Sequence, residues 1–200
     1  MKVGIMGGTF DPPHMAHLII AELARDRLEL DKVIFIPAGD PWMKSAHKVT
    51  SADKRVNMVS LAIATNRAFS LSAIEVDRPG PTYTVDTIEK LSGEVGNDTG
   101  IFLLLGWDSV ADLPSWKAPY RISKMARIVA FPRPGFIKPD LAELGKAMPG
   151  IAERILFMDE PNLSISSTCI RKRAREGKSV RYLVPETVGQ YIIENDLYKA

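Results

Sequence analysis

The sequence predicts an α/β protein: a doubly wound parallel sheet with helices on both faces and a small C-terminal helical part. Three observations predict it. Short apolar runs rich in Val, Ile and Phe recur along the chain, segments of helical period separate them, and the most irregular stretches directly follow such runs. Continuous apolar strands alternating with helices indicate a parallel sheet, because a strand buried on both faces has no polar face to alternate.

The elements follow in order. KVGIM, around Val3, reads as the first strand, and Met15 to Glu29 as the helix after it, with Leu18, Ile19 and Leu23 apolar. KVIFIPAG around Ile34 is the second strand, Ala52 to Ala64 a helix, and FSLSAI around Leu71 the third strand. A helix over Thr84 to Leu91 precedes IFLLLG, around Leu103, and RIVAF, around Val129. Leu141 to Met148 is helical, RILFM around Leu156 is the last strand, and helices over Ser167 to Glu176 and Pro185 to Asn195 close the chain. One domain over 1–200 is expected, with the C-terminal helical part at about 160–200. The irregular stretches Pro37 to Ser51, Asp77 to Pro81 and Pro132 to Pro139 lie after strands, and open parallel sheets bind ligands outside the carboxyl ends of their strands.

Composition narrows the function classes. A chain of 200 residues, 46% hydrophobic, suffices for one sizeable core. A net charge of +2 gives no global basic field of the kind that marks nucleic-acid or membrane-surface proteins. The single cysteine, Cys169, forms no internal disulfide and reads as a small buried hydrophobe. No apolar run approaches the ~20 residues that span a bilayer. The N-terminus has no signal-peptide pattern, so a cytoplasmic protein is expected, with no membrane and no nucleic-acid partner.

The chemistry concentrates in GGTFDPPHMAH, Gly7 to His17. Gly7 and Gly8 are expected where the first strand turns and lets backbone approach a ligand, while Pro12 and Pro13 stiffen the loop. The helix that follows directs free N–H groups and its positive dipole end to the sheet edge, which favours an anion. His14 and His17, two of the chain's three histidines, share one face of its first turn. The glycine spacing fits neither the dinucleotide fingerprint nor the P-loop, and the His pair has no third metal ligand at a recognised spacing. A different phosphate site remains.

GGTFDPPHMAH resembles the signature of the nucleotidyltransferase superfamily, His or Thr, any residue, Gly, His, here His14-Met15-Ala16-His17 with alanine for the usual glycine. ISSTCIR, Ile165 to Arg171, resembles the second superfamily motif and lies where it should, near the C-terminus at a helix start. Within the superfamily the likeness is to the bacterial nicotinate mononucleotide adenylyltransferases, and it extends through PTYTVDTIEKL, LLGWDSVADLPSWKAPYRI and LVPETVGQYIIENDLY. The resemblance implies a Rossmann-like fold and transfer of the adenylyl group of ATP to nicotinate mononucleotide, giving deamido-NAD and pyrophosphate in NAD biosynthesis. It implies ATP contacts from Gly8, Thr9, Phe10, His14, His17, Asp108, Ser166, Ser167, Thr168 and Arg171, with His17, His14 and Arg171 as the catalytic set. Trp116 is expected to stack on the pyridine ring, and amides near Thr84 and Lys117 to receive the nicotinate carboxylate.

The stretch GDPWMKSAHKVTSADKR is longer than the family's commoner Pro-Pro-His-Lys version; His47 and Lys48, or else Lys44, are expected on the mononucleotide phosphate. Mg²⁺ belongs on substrate phosphates, so no protein metal ligand is named. Arg173 and Arg175 read as a solvated face, and Trp107 takes no role. Three other readings stand beside this one: a sister adenylyltransferase acting on phosphopantetheine, FMN or nicotinamide mononucleotide; a nucleotide-binding module without catalysis; and a helix-turn-helix DNA reader formed by the two closing helices. A homo-oligomer is possible, and a long loop beside a phosphate site makes closure over substrate a further expectation.

Overall fold

The structure is a computed structural model describing residues 1–39, 49–96 and 98–199. The strands are β1 (Lys2–Gly8), β2 (Lys32–Pro37), β3 (Phe69–Leu71), β4 (Gly100–Gly106), β5 (Arg127–Phe131) and β6 (Ile155–Phe157). The helices are α1 (Met15–Leu28), α2 (Ala52–Ile63), α3 (Thr84–Val95), α4 (Trp107–Asp112), α5 (Pro119–Met125), α6 (Leu141–Ala147), α7 (Ser167–Arg175) and α8 (Glu186–Glu194). All strand pairs are parallel, in the order β3-β2-β1-β4-β5-β6, the Rossmann-like α/β arrangement expected.

Alternation along the strands divides the core. Val3 and Ile5 of β1, Ile34 and Ile36 of β2, and Ile128 and Ala130 of β5 face one side with Val85 and Ile88 of α3, Val110 of α4 and Ile122 of α5. Met6, Val33, Phe35, Val129 and Phe131 face the other, against α1, α2, α7 and α8. Both faces are apolar because both are covered, and each side chain so buried contributes roughly 1.5–3 kcal/mol. Ala21 and Ala24 of α1 have no exposed surface, so small residues bring that helix close to the sheet. Ile170, Val184, Val188, Ile192 and Leu197, from the C-terminal part, lie in the same cluster as Met6 and Phe35. Among the described residues no helix is long and apolar enough to cross a membrane.

Every expected strand and helix is present, and α3 extends past Leu91 to Val95. The sequence reading did not resolve α4 and α5, of six and seven residues, which are too short to display a period. Cys169 is exposed, contrary to expectation. On α7 only Ile170 is buried, and its neighbour is rotated about 100° from it, off the core.

Candidate active site

The strand order reverses between β1 and β4, which puts the loop after β1 and the start of α4 side by side at the carboxyl edge of the sheet. β1 runs through both Gly7 and Gly8, so the turn is not made by either glycine. It falls at Phe10, whose φ of 49° is left-handed. The Phe10 ring is 2% exposed and tucks back under β1, where a Cβ on Gly8 would stand 3.2 Å from it. Burial of that ring offsets a backbone conformation that non-glycine residues rarely adopt.

α1 then begins with His14 as its N-cap. The two imidazoles stack, centroids 3.7 Å apart and planes at 19°, and the Phe10 ring meets His17 edge-on at 4.9 Å. The backbone N–H of His14 donates to His17 Nδ1 at 3.1 Å. An accepting Nδ1 carries no proton, so neutral His17 holds its proton on Nε2. Burial, and secondly the charge of Arg133, lowers the His14 pKa to about 4, so its imidazole is neutral at ordinary pH.

Arg133, just beyond β5, links this pair to the first turn of α4: its Nη1 lies 3.2 Å from Asp108 Oδ2. Asp108 Oδ1 is buried without a protein partner. Gly106 precedes it because a Cβ there would stand 2.5 Å from that oxygen. From the other side α7 docks on residues 11–12. Ser166 caps it, accepting from the Cys169 N–H at 3.2 Å, while Ser167 Oγ donates to the Pro12 carbonyl at 2.8 Å. Arg171 Nη1 donates to the Asp11 carbonyl at 2.7 Å, and Nη2 to Thr168 Oγ1 at 3.3 Å. Arg173, expected on a solvated face, donates from Nε to the Ser179 carbonyl and closes the turn after α7.

Of the second expected group, Thr84 and Lys117 are brought near each other. Lys117 Nζ lies 3.2 Å from Asp86 Oδ2 in the first turn of α3 and 4.2 Å from the centre of the Tyr83 ring, which brings the segment after Trp116 to the helix start at Thr84. Trp116 and Trp107 are half-buried at the rim of the core, each with a buried indole N–H that has no protein partner. Lys44, His47 and Lys48 lie outside the described residues.

Three residues escape sequence reasoning. Arg55 is 2% exposed and its guanidinium donates to the carbonyls of Thr50 at 2.9 Å, Thr9 at 2.9 Å and Gly39 at 3.1 Å. Asp11 is 4% exposed and receives the Tyr198 hydroxyl at 2.7 Å and the Thr50 N–H at 3.2 Å. Only Arg133 left a signal, its position just after a strand. Among the described residues no cluster of His, Cys, Asp or Glu suits a metal ion.

The arrangement can hold a polyanion: among the described residues, backbone at a turn, two imidazoles, Arg133 beside His14 and Arg171 on the Asp11 carbonyl flank residues 10–17. Residues 5–173 match the model of the cytidylyltransferase-like family. The chain is 43% identical over 198 residues to a protein of Dehalococcoides mccartyi named a probable nicotinate-nucleotide adenylyltransferase, covering 99% of this chain and 97% of that one. A Roseiflexus protein of the same name is 43% identical over 200 residues, covering 98% of each. Among solved structures, a Plasmodium falciparum nicotinic acid mononucleotide adenylyltransferase complexed with NaAD superposes with a TM-score of 0.80 at 22% identity, over 98% of this chain and 97% of that one.

Proposed function

The chain belongs to the cytidylyltransferase-like family, and from that premise we propose that it is a nicotinate-nucleotide adenylyltransferase: it joins ATP to nicotinate mononucleotide and releases deamido-NAD and pyrophosphate. Full-length relatives of that name support the reading. The observation that carries it is the bond from the His14 N–H to His17 Nδ1, which leaves Nε2 as the donor of a neutral imidazole beside the start of α1.

A phosphate oxygen of the mononucleotide attacks the α-phosphorus of ATP, the bond from that phosphorus to the α,β-bridging oxygen breaks, and pyrophosphate leaves with the electron pair. The nucleophile is already an anion, so no general base is required, and alignment and charge stabilisation supply the catalysis. His17 Nε2–H donates to the α-phosphate. His14, Thr9 and backbone at Gly8 and Phe10 hold the triphosphate, with the amides of the α7 first turn at Ser166, Ser167 and Thr168, while Arg171 stabilises the leaving pyrophosphate. Asp108 takes ribose hydroxyls, to which its unpartnered Oδ1 is suited. Mg²⁺ is the divalent ion proposed; it would be held mainly by the substrate phosphates and would supply charge neutralisation there.

On the acceptor side Trp116 stacks on the pyridinium, and the first-turn amides of α3 at Thr84, with the amide of Lys117, receive the carboxylate. Lys44, His47 or Lys48 meets the mononucleotide phosphate. The chain works as one unit, since its C-terminal residues share a core cluster with β1 and β2. The test is pyrophosphate release with ATP and Mg²⁺, offering nicotinate mononucleotide, nicotinamide mononucleotide, FMN and phosphopantetheine in parallel. Release driven by nicotinate mononucleotide, and lost in His17→Ala with folding intact, is the expected result. Release with another acceptor keeps the mechanism and overturns the substrate.

A further inference from the structure

We infer that Tyr198, in the chain's last turn, is a positioning residue for the ATP side of the site: through Asp11 it sets the residue 10–12 loop and the guanidinium of Arg171. The inference rests on the reading that this loop takes the triphosphate. Tyr198 enters no step of the chemistry.

Asp11 is where separate parts of the chain meet. Its Oδ1 receives the Tyr198 hydroxyl at 2.7 Å, its Oδ2 the N–H of Thr50 at 3.2 Å, and its carbonyl the Nη1 of Arg171 at 2.7 Å. The first two bonds fix the side chain, and a fixed side chain fixes the peptide that follows it. That peptide carbonyl, with Thr168 Oγ1, holds the Arg171 fork at two of its donors and so directs the rest. A carboxylate sequestered to 4% exposure needs donors, and the phenol supplies one that does not titrate away. Burial first, then the charge of Asp11, pushes the Tyr198 pKa well above the ordinary tyrosine range, so the hydroxyl keeps its proton.

The tail is built to deliver that hydroxyl. Leu197 is buried, its N–H donates to the Ile192 carbonyl at 3.0 Å, and Tyr198 takes a φ of 65°. A non-glycine residue in the left-handed region persists where its surroundings hold it there, and the bond to Asp11 is one of the contacts that do so, with Met58 Sδ at 3.8 Å. α8 is also tied to α2 elsewhere: Asn57 Nδ2 donates to Tyr191 Oη at 3.3 Å, without touching Asp11. The two attachments separate docking of the tail from positioning of the loop.

The experiment compares wild type, Tyr198→Phe, Asp11→Asn, the double variant and Asn57→Ala in the full chain, with ATP affinity read by titration calorimetry and both KM values by pyrophosphate release. Tyr198→Phe removes one oxygen and is expected to weaken ATP about fivefold, with the KM for nicotinate mononucleotide moved less than about twofold. Asp11→Asn leaves one acceptor oxygen where the Tyr198 hydroxyl and the Thr50 N–H each had one, so one of the two donations that fix the side chain is lost and the same expectation holds; the double variant loses no more than the worse single one, as residues acting as a unit do. Asn57→Ala leaves both substrates unchanged. Unaltered ATP affinity in Tyr198→Phe or in Asp11→Asn overturns the inference, as do additive losses or equal weakening of both substrates. Calorimetry needs no acceptor, so it reads this inference even where turnover shows that the acceptor is another compound.

Discussion

The ATP side and the acceptor side of the site are built differently. Around residues 9–17 the chain is fixed by bonds that begin or end on backbone: His14 N–H to His17, Ser167 to the Pro12 carbonyl, Arg171 to the Asp11 carbonyl, Arg55 to the Thr9 carbonyl. Around Thr84 and Trp116 the two segments are tied to each other by side-chain ion pairs at the surface, Lys117 with Asp86, 50% and 35% exposed, and Arg121 with Glu89, both exposed. Backbone-anchored bonds in a buried setting hold geometry, whereas a half-exposed ion pair gives way to water and salt. Charge develops at the α-phosphate, so the rigid half belongs there, and the adaptable half suits recognition of a pyridinium ring and its carboxylate.

The sharpest way to break this comparison is at the rigid half. His17→Ala removes a donor aimed at the reacting phosphate, and a loss of roughly 10²–10³ in kcat is expected, as for other such donors. A loss confined to KM would place His17 in ground-state binding alone. Arg55→Met comes next. It leaves the Thr9, Gly39 and Thr50 carbonyls without their buried donor and is expected to cost about 3 kcal/mol, read as a lower urea midpoint at unchanged slope. Arg55→Lys keeps the charge but not the three-way fork, so a partial loss is expected. An unchanged midpoint in both variants would mean that the loops hold without it.

A pH series sharpens the same half. The folded-state pKa of His14 is about 4, below the ordinary 6.5. Between these values the unfolded chain binds a proton that the folded chain does not, so this contribution to stability is complete above pH 6.5 and is lost as pH falls toward 4. At pH 5 the loss is about 2 kcal/mol relative to pH 7.5. His14→Gln is expected to flatten that part of the profile, and a profile of wild-type steepness in the variant would assign the proton elsewhere.

How much of this was legible in the sequence depended on range. Strands and long helices declare themselves through period, and both phosphate motifs are contiguous, so His14, His17, Ser167 and Arg171 were visible before any coordinates. Arg55 was not. In α2 it reads as one more surface cation, because arginine is seldom fully buried, and its acceptors are carbonyls at 9, 39 and 50 that any residue supplies. Tyr198 and Asp11 lie at opposite ends of the chain and meet only through the fold. Phe10 misled for another reason: two glycines offered the obvious turn, yet burial of an aromatic ring decided where the backbone reversed. Gly39 carries its own constraint, since a side chain there would run into the Glu75 carbonyl, a contact invisible from spacing.

The smallest effect is expected at the adaptable half. Lys117→Met removes the ion pair with Asp86 and the cation over the Tyr83 ring, but keeps a long apolar stem against that ring. Exposed pairs of this kind contribute about 0–1 kcal/mol, so the urea midpoint should move little and the loss should shrink further as salt is raised. The amide proposed to receive the nicotinate carboxylate belongs to the backbone and survives the substitution, so the KM for nicotinate mononucleotide should rise no more than about threefold, with the KM for ATP unchanged. A tenfold rise would show that the ammonium itself meets the carboxylate. That outcome would make the acceptor side a charged receptor instead of a backbone one, and the contrast between the two halves would rest on burial alone.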